Sequence, residues 1–239
     1  MYQYISAVSI SEAIEKSLKA LNENGVICAR ENQDRADTTK ETQVVIDVID
    51  PTAEPMVSKA MPCDINALVQ YEDEFLNGTA DGDGWKYTYH SLYSPFYDKV
   101  IAELKRNINT RRACIALGQG DINFTSDPPC LQLLMFTANE NALEVTCLFR
   151  SNDAVKAFPM NIIAIAALQE KAAGDMGMKI GAMHYIANNF HAYSKDFATL
   201  ENYIRLFDKY DTPETLHRKS YTNSQHEQAR KKYYESKNN

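Results

Sequence analysis

Two prolines stand directly before a cysteine at Pro128-Pro129-Cys130, and two apolar runs separated by a turn follow them. Proline fixes φ and donates no backbone hydrogen bond, so the chain enters Cys130 held out of helix and at a defined angle. Leu131 to Phe136 predicts a strand, Asn139-Glu140-Asn141 a turn, and Leu143 to Phe149 a second strand carrying β-branched Val145 and Thr146. Together they read as a hairpin. A hairpin returns Arg150 to the end that holds Cys130, and a neighbouring guanidinium lowers a thiol's pKa and raises its thiolate fraction. A lone free cysteine is more often a small buried hydrophobe. The paired arginine is what points beyond that.

The rest of the chain alternates helices and strands. Ser9-Ile10-Ser11-Glu12 has capping-box spacing, and Ile14, Leu18 and Leu21 continue a helix that stops at Asn24-Gly25. Cys28 to Lys40 reads as a polar segment, and Val44 to Ile49 as a strand ending at Asp50-Pro51. Residues 52–62 predict a loop, and Ile65 to Leu76 a helix stopped by Gly78, its acids Glu72, Asp73 and Glu74 on a solvated face. Trp85 to His90 alternates like a strand, Phe96 to Arg106 like an amphipathic helix, and Ala113 to Leu117 like a strand. Ile162 to Ala173, opened by Asn161, is apolar almost all round and predicts a buried helix. A loop over Gly174 to Gly181, a strand from Ala182 to Tyr193 and a helix from Phe197 to Phe207 complete the pattern. The expected organisation is a domain over 1–209 and a polar, solvated tail over 210–239.

Composition excludes several classes. A net charge of −7 leaves no basic excess to neutralise a nucleic-acid backbone, so no nucleic-acid partner is expected. Five cysteines, none in C-x-x-C, read as reduced intracellular thiols rather than a disulfide framework. No apolar run spans a bilayer and the N-terminus has no signal pattern, so a cytoplasmic protein without a membrane partner is expected. Asp81-Gly82-Asp83-Gly84 lacks the oxygen spacing of a calcium loop, and no metal is expected.

Four motifs then fall in order: Pro129-Cys130, Arg150-Ser151-Asn152-Asp153, Pro159-Met160-Asn161 and His191-Ala192-Tyr193. Arg150 follows Cys130 by 20 residues, Asn161 follows Arg150 by 11 and His191 follows Asn161 by 30. In order and spacing they resemble the thymidylate synthases and their pyrimidine nucleotide hydroxymethylase relatives, especially the shorter archaeal-type and phage-type members. Weaker likenesses lie upstream, at Asp34-Arg35 with Lys40-Glu41, at Tyr89-His90-Ser91-Leu92-Tyr93, and at Arg111-Arg112.

The resemblance implies an α/β (α+β) fold, a large mixed sheet packed against helices, in a homodimer joined sheet to sheet. It implies an enzyme that transfers a one-carbon unit to C5 of a pyrimidine nucleoside monophosphate. The co-substrate would be 5,10-methylene-tetrahydrofolate or a related pterin carrier. Conversion of dUMP to dTMP is the first expectation. Hydroxymethylation of dUMP or a cytidylate, by water capture of the exocyclic methylene, is the second, and a non-catalytic nucleotide-binding relative the third.

By the same resemblance Cys130 is the nucleophile at C6 and Tyr89 an active-site tyrosine. Arg150, Ser151 and Arg35 bind the phosphate with Arg111 and Arg112 of the partner subunit. Asn161 reads the base, His191 and Tyr193 hold the sugar hydroxyl, and Asp153 meets the pterin. Three departures stand out. Leu131 follows the nucleophile where many members have histidine. The tail does not resemble the apolar closing segment of full-length members. Counting back from Gly78 puts Tyr71 at the family's general-base glutamate position, and a slip of one residue restores Glu72, which is taken here as that base.

Overall fold

The computed structural model describes residues 2–32, 35–58, 61–78, 87–125, 128–209 and 220–237, with the backbone alone over 30–37 and at 220. The elements are β1 (Tyr2–Ala7), α1 (Ile10–Asn24), β2 (Val26–Asn32), β3 (Arg35–Val48), β4 (Val57–Ser58), α2 (Ile65–Asn77), α3 (Tyr89–Arg106), β5 (Cys114–Ala116), β6 (Leu131–Asn139), β7 (Ala142–Phe149), β8 (Asn152–Asp153), α4 (Phe158–Met176), β9 (Lys179–Tyr193), α5 (Phe197–Lys209), β10 (Ser220–Tyr221) and α6 (Asn223–Lys237). Eight strands form one mixed sheet in the order β1-β3-β9-β7-β6-β5, with β2 on the edge of β3 beside β1 and β8 on β9. The pairs β1–β3 and β7–β9 are parallel, while β3–β9, β6–β7 and β5–β6 are antiparallel. This is the mixed sheet on helices that the sequence led us to expect.

Alternation along the strands decides which face is covered. Leu143, Val145, Cys147 and Phe149 of β7 are buried with Met183, Tyr185 and Ala187 of β9 and Val44, Ile46 and Val48 of β3. Strand side chains alternate between faces, so this face meets the helices. α4 lies across it, apolar through Ile162, Ile163, Ile165 and Leu168. The buried Gln169 amide donates to the carbonyls of Leu143, Gly181 and Ala182, at a break in the β7–β9 register. The opposite face carries half-exposed Asp47, Glu144 and His184, and Tyr4 donates to Asp47 at 2.7 Å.

The hairpin forms as expected. Asn139 pairs with Ala142 across a two-residue turn, in which Glu140 takes a left-handed φ of 52°. Five local expectations change. Residues 52–62 hold β4, paired antiparallel with β10, rather than a plain loop. Cys28 to Lys40 is a hairpin of β2 and β3 rather than a plain polar segment. Its outer strand leaves Val26 and Ile27 65% and 56% exposed, so it lacks a buried-face alternation to read. Tyr89 and His90 open a helix rather than a strand. A capping box between Thr88 and Ser91 starts α3, which runs through Pro95. The segment 174–181 is short: α4 continues to Met176, Gly177 closes it at φ 67°, and β9 begins at Lys179. The described part of the tail is a helix, α6, docked on α2 rather than solvated. Trp85, Lys86 and the turn at 81–84 lie outside the described residues. Among those described, no helix is long and apolar enough to cross a membrane.

Candidate active site

Pairing register carries the four motifs to one end of the sheet. Leu131 faces Phe149 in the hairpin, which puts Cys130 and Arg150 at the same end. β8 then pairs with β9, Asn152 opposite Phe190 and Asp153 opposite His191. Two residues further along β9, Tyr193 sits opposite Thr39 of β3. The rings of His191 and Tyr193 meet edge to face, 4.9 Å between centroids. Ser151 lies at the turn between β7 and β8.

Arg150 secures the segment before the cysteine. Its Nε donates to the Pro129 carbonyl at 3.0 Å and its Nη2 to the Pro128 carbonyl at 2.7 Å. Its backbone N–H donates to the Cys130 carbonyl at 2.9 Å. Prolines offer only carbonyls for hydrogen bonding, and the planar guanidinium spans two of them at once. Gln132 adds a third hold, donating from Nε2 to the Pro129 carbonyl at 2.6 Å. The Cys130 side chain is half-buried.

An aromatic wall stands behind it. The Leu131 N–H donates to Tyr89 Oη at 3.4 Å, so the hydroxyl of α3 meets the strand one residue past the cysteine. Tyr89 lies 5.7 Å from Phe75 and 6.4 Å from Phe149, ring centre to ring centre, and Tyr185 stacks on Phe149 at 4.8 Å. Burial pushes the Tyr89 hydroxyl well above the ordinary phenol range, and the negative charges that Cys130, Tyr71 and Tyr87 carry when ionised add to this. Tyr185 is raised in the same way, first by full burial. The wall therefore offers protonated hydroxyls and no charge.

Asn161 sits in the first turn of α4, 3% exposed. Its N–H bonds to the Ala157 carbonyl, so it lies inside the helix rather than capping it, and its amide is open to side-chain contacts. Tyr71 Oη donates to Asn161 Oδ1 at 2.6 Å. Asp153 Oδ1 accepts from the N–H groups of Val155 and Lys156 at 2.9 and 3.0 Å, fixing the turn into α4. Asp153 Oδ2 takes no hydrogen bond among the described residues and remains an acceptor at the edge of the site.

Three sequence-predicted residues stand apart from this cluster. Glu72, expected as a base, is 2% exposed and turned to the other side of α2. Its carboxylate meets Arg230 Nε at 3.0 Å and His226 Nε2 at 2.8 Å, both from α6. Successive helical residues point about 100° apart, so Tyr71 and Glu72 cannot face the same group. Asp73 likewise accepts from Tyr233 at 3.0 Å and from Lys237. Glu72 and Asp73 of α2 form a docking face for α6, not a solvated one. Arg111 and Arg112 are exposed at the start of β5. Cys114 pairs with Met135 and Ala116 with Leu133, so this pair lies toward the far end of β6, about 20 Å from Cys130 at strand rise. Within one chain they do not reach the cluster. Arg35 is in β3, and its side chain lies outside the described residues.

Against known families, residues 78–235 match the thymidylate synthase model. The chain belongs to the thymidylate synthase family. Relatives provisionally named thymidylate synthases agree with it. One from Methanocaldococcus jannaschii is 26% identical over 86% of this chain and 98% of its own length. Another, from Methanopyrus kandleri, is 31% identical over 58% of this chain and 69% of its own. Among solved structures, thermostable thymidylate synthase A from Bacillus subtilis superposes with a TM-score of 0.66 at 14% identity, covering 82% of this chain and 84% of that one. At that identity the likeness is one of fold. In this thymidylate synthase family member Asn161 faces a phenol, Tyr71. Counting back from Gly78 had put Tyr71 there, but expecting a carboxylate favoured Glu72. Tyr185 gave no sequence signal beyond its place in an apolar strand.

Proposed function

We propose that this protein is an enzyme transferring a one-carbon unit from 5,10-methylene-tetrahydrofolate, or a related pterin carrier, to C5 of dUMP, giving dTMP. What supports this most is the convergence of Cys130, Arg150, Asp153, Asn161, His191 and Tyr193 at one end of the sheet. Uracil C6 is a poor electrophile. The Cys130 thiolate adds there, and C5 becomes carbanion-like. The Pro128–Pro129 segment, held by Arg150, presents the sulfur at a fixed angle. Arg150 and Ser151 take the nucleotide phosphate together with Arg35 and with Arg111 and Arg112 of the partner subunit. The protein then works as a homodimer, since the arginine pair of one chain lies too far from its own Cys130. Asn161 pairs with the N3–H and O4 edge of the base, for an amide carries both an acceptor and a donor. His191 and Tyr193 hold the sugar hydroxyl. Asp153 Oδ2 suits the N–H groups of a pterin. The folate supplies the one-carbon unit, which no side chain can provide.

A second product is favoured by one observation. The last described helix, α6, is anchored on the side of α2 away from Tyr71 and Asn161. Closure over a site excludes water from reactive intermediates. With α6 held behind α2, water capture of the methylene gives 5-hydroxymethyl-dUMP instead.

Incubation with 5-fluoro-dUMP and methylene-tetrahydrofolate, followed by intact mass, tests the nucleophile. A mass increase that disappears in Cys130→Ala is expected. No increase, or one that persists in the variant, overturns the role of Cys130. Product masses from dUMP then separate methyl from hydroxymethyl.

A further inference from the structure

A row of apolar side chains crosses five strands on the face of the sheet away from the helices. Leu133 of β6 pairs with Leu148 of β7, Leu148 with Ile186 of β9, Ile186 with Val45 of β3, and Val45 with Tyr4 of β1. All five stay partly exposed, whereas the residues on either side of them in β7, β9 and β3 are buried. A contiguous apolar stretch left open in this way marks an association surface.

A charged cluster lies beside the row. His184 of β9 pairs with Asp47 of β3, and its Nδ1 lies 2.6 Å from Asp47 Oδ1. Its Nε2 lies 3.8 Å from Glu144 Oε2 of β7. Tyr4 of β1 donates to Asp47 Oδ2, and Asn139 Nδ2 donates to Glu144 Oε1 at 2.9 Å. Asp47, Glu144 and Tyr4 are the titratable groups around this imidazole.

We propose that this face joins two copies of the chain through a proton-coupled contact, in which His184 takes up a proton as the second copy covers it. The inference rests on the homodimer proposed above. A neutral imidazole carries one N–H and one lone pair. With a carboxylate oxygen at each ring nitrogen, a neutral ring sets its lone pair against one of them, and only the imidazolium donates both ways. Water relieves that mismatch on an open face. Under a second copy it does not, and two carboxylates per chain would be covered without a counter-charge, which is costly. In a two-fold dimer each copy brings the same cluster, so the cost is doubled.

The neighbours do not take the proton instead. Burial alone would raise the Asp47 pKa, but hydrogen bonds from His184 and Tyr4 outweigh it and hold the carboxyl low. The hydrogen bond to Asp47, first, raises the Tyr4 pKa, so that phenol stays neutral. Histidines in water lose their proton near about pH 6.5. A proton held more tightly in the dimer adds affinity that is full below that pH and is lost as pH rises through the higher, dimer value.

The test is sedimentation of the full-length protein over a dilution series from about pH 6 to about pH 8. The wild-type dimer Kd is expected to rise at least about tenfold across that range, since two protons per dimer allow up to about a hundredfold per pH unit. Where dilution does not part the chains, the exchange rate between labelled and unlabelled copies is read instead and is expected to rise in the same direction. His184→Gln is expected to remove the pH dependence and to keep the weaker, alkaline affinity. The double variant Asp47→Asn with Glu144→Gln is expected to remove it too, but to bind more tightly than wild type at about pH 8. A dimer whose affinity does not change with pH, or a slope that persists in His184→Gln, overturns the proposal and leaves the homodimer standing. A monomer at every concentration and pH overturns both, while the covalent capture test of Cys130 keeps its own outcome.

Discussion

Arg150 and Cys130 are joined through the backbone, the Arg150 N–H donating to the Cys130 carbonyl at 2.9 Å while the guanidinium spans the two carbonyls before it. The arginine thus holds the backbone that leads into and through the cysteine, and in the proposed reaction that hold orients the sulfur. Lysine keeps the charge but is a point donor that does not span two carbonyls in a fixed plane. Arg150→Lys should therefore slow covalent capture of 5-fluoro-dUMP by about tenfold or more, the scale of one or two lost charge-assisted hydrogen bonds. Stopped reactions weighed by mass spectrometry measure it, and a rate equal to wild type would mean that charge alone suffices.

Glu72 should matter for stability. Its carboxylate is the shared partner of Arg230 and His226, and its side chain is 3% exposed. Removing one member of a buried charged set leaves the others uncompensated, at about 3–5 kcal/mol. For a chain of this size that corresponds to a fall of roughly 10 °C in melting temperature. Glu72→Ala in a thermal melt checks it. A shift of only a degree or two would mean that α6 contributes little to the fold.

Docking of α6 should also depend on acid. Burial alone would raise the Asp73 pKa, but hydrogen bonds from Lys237, Asn77 and Tyr233 outweigh it and hold the carboxyl below its usual 3.8. A carboxylate lowered on folding stabilises the native state above its unfolded pKa, and that share is lost as pH falls through the lower, folded value. The stability gap between wild type and Asp73→Asn should be full at about pH 6 and close below about pH 3. Urea titrations at several pH values measure the gap. A gap that widens toward acid would contradict the assignment.

The proposed homodimer with shared arginines makes a mixing prediction. Cys130→Ala chains keep their arginines, while chains with Arg111→Glu and Arg112→Glu keep their cysteine. Each mixture is expected to hold hybrid dimers with one native site, restoring about a quarter of wild-type turnover at random exchange. Activity that stays at the sum of the parents would mean that each site is complete within one chain.

The hairpin and the motifs around it were legible because their signals are local: prolines, a short turn and alternating apolar positions. Registration did the rest, since pairing Leu131 with Phe149 and Asp153 with His191 leaves the motifs only one end of the sheet to share. What escaped depended on distant partners. Glu72 and Asp73 read as solvated because the residues that cover them, His226, Arg230, Tyr233 and Lys237, come some 150 positions later. α3 read as starting after Pro95 because a proline inside a helix is usually a break, yet the Thr88–Ser91 box fixes the turn upstream. Tyr71 and Glu72 differ by one position in sequence and by about 100° in space, and only coordinates tell which one looks at Asn161.

Those two neighbours share a peptide unit, one bound to the pocket amide and the other to the terminal helix. In the proposed site a base that shifts Asn161, and Tyr71 with it, acts on the same helix whose other side is salt-bridged to α6. A fluorescent reporter attached at the exposed Lys231 would then register nucleotide arrival from the outside of the molecule, without touching the chamber where the reaction takes place.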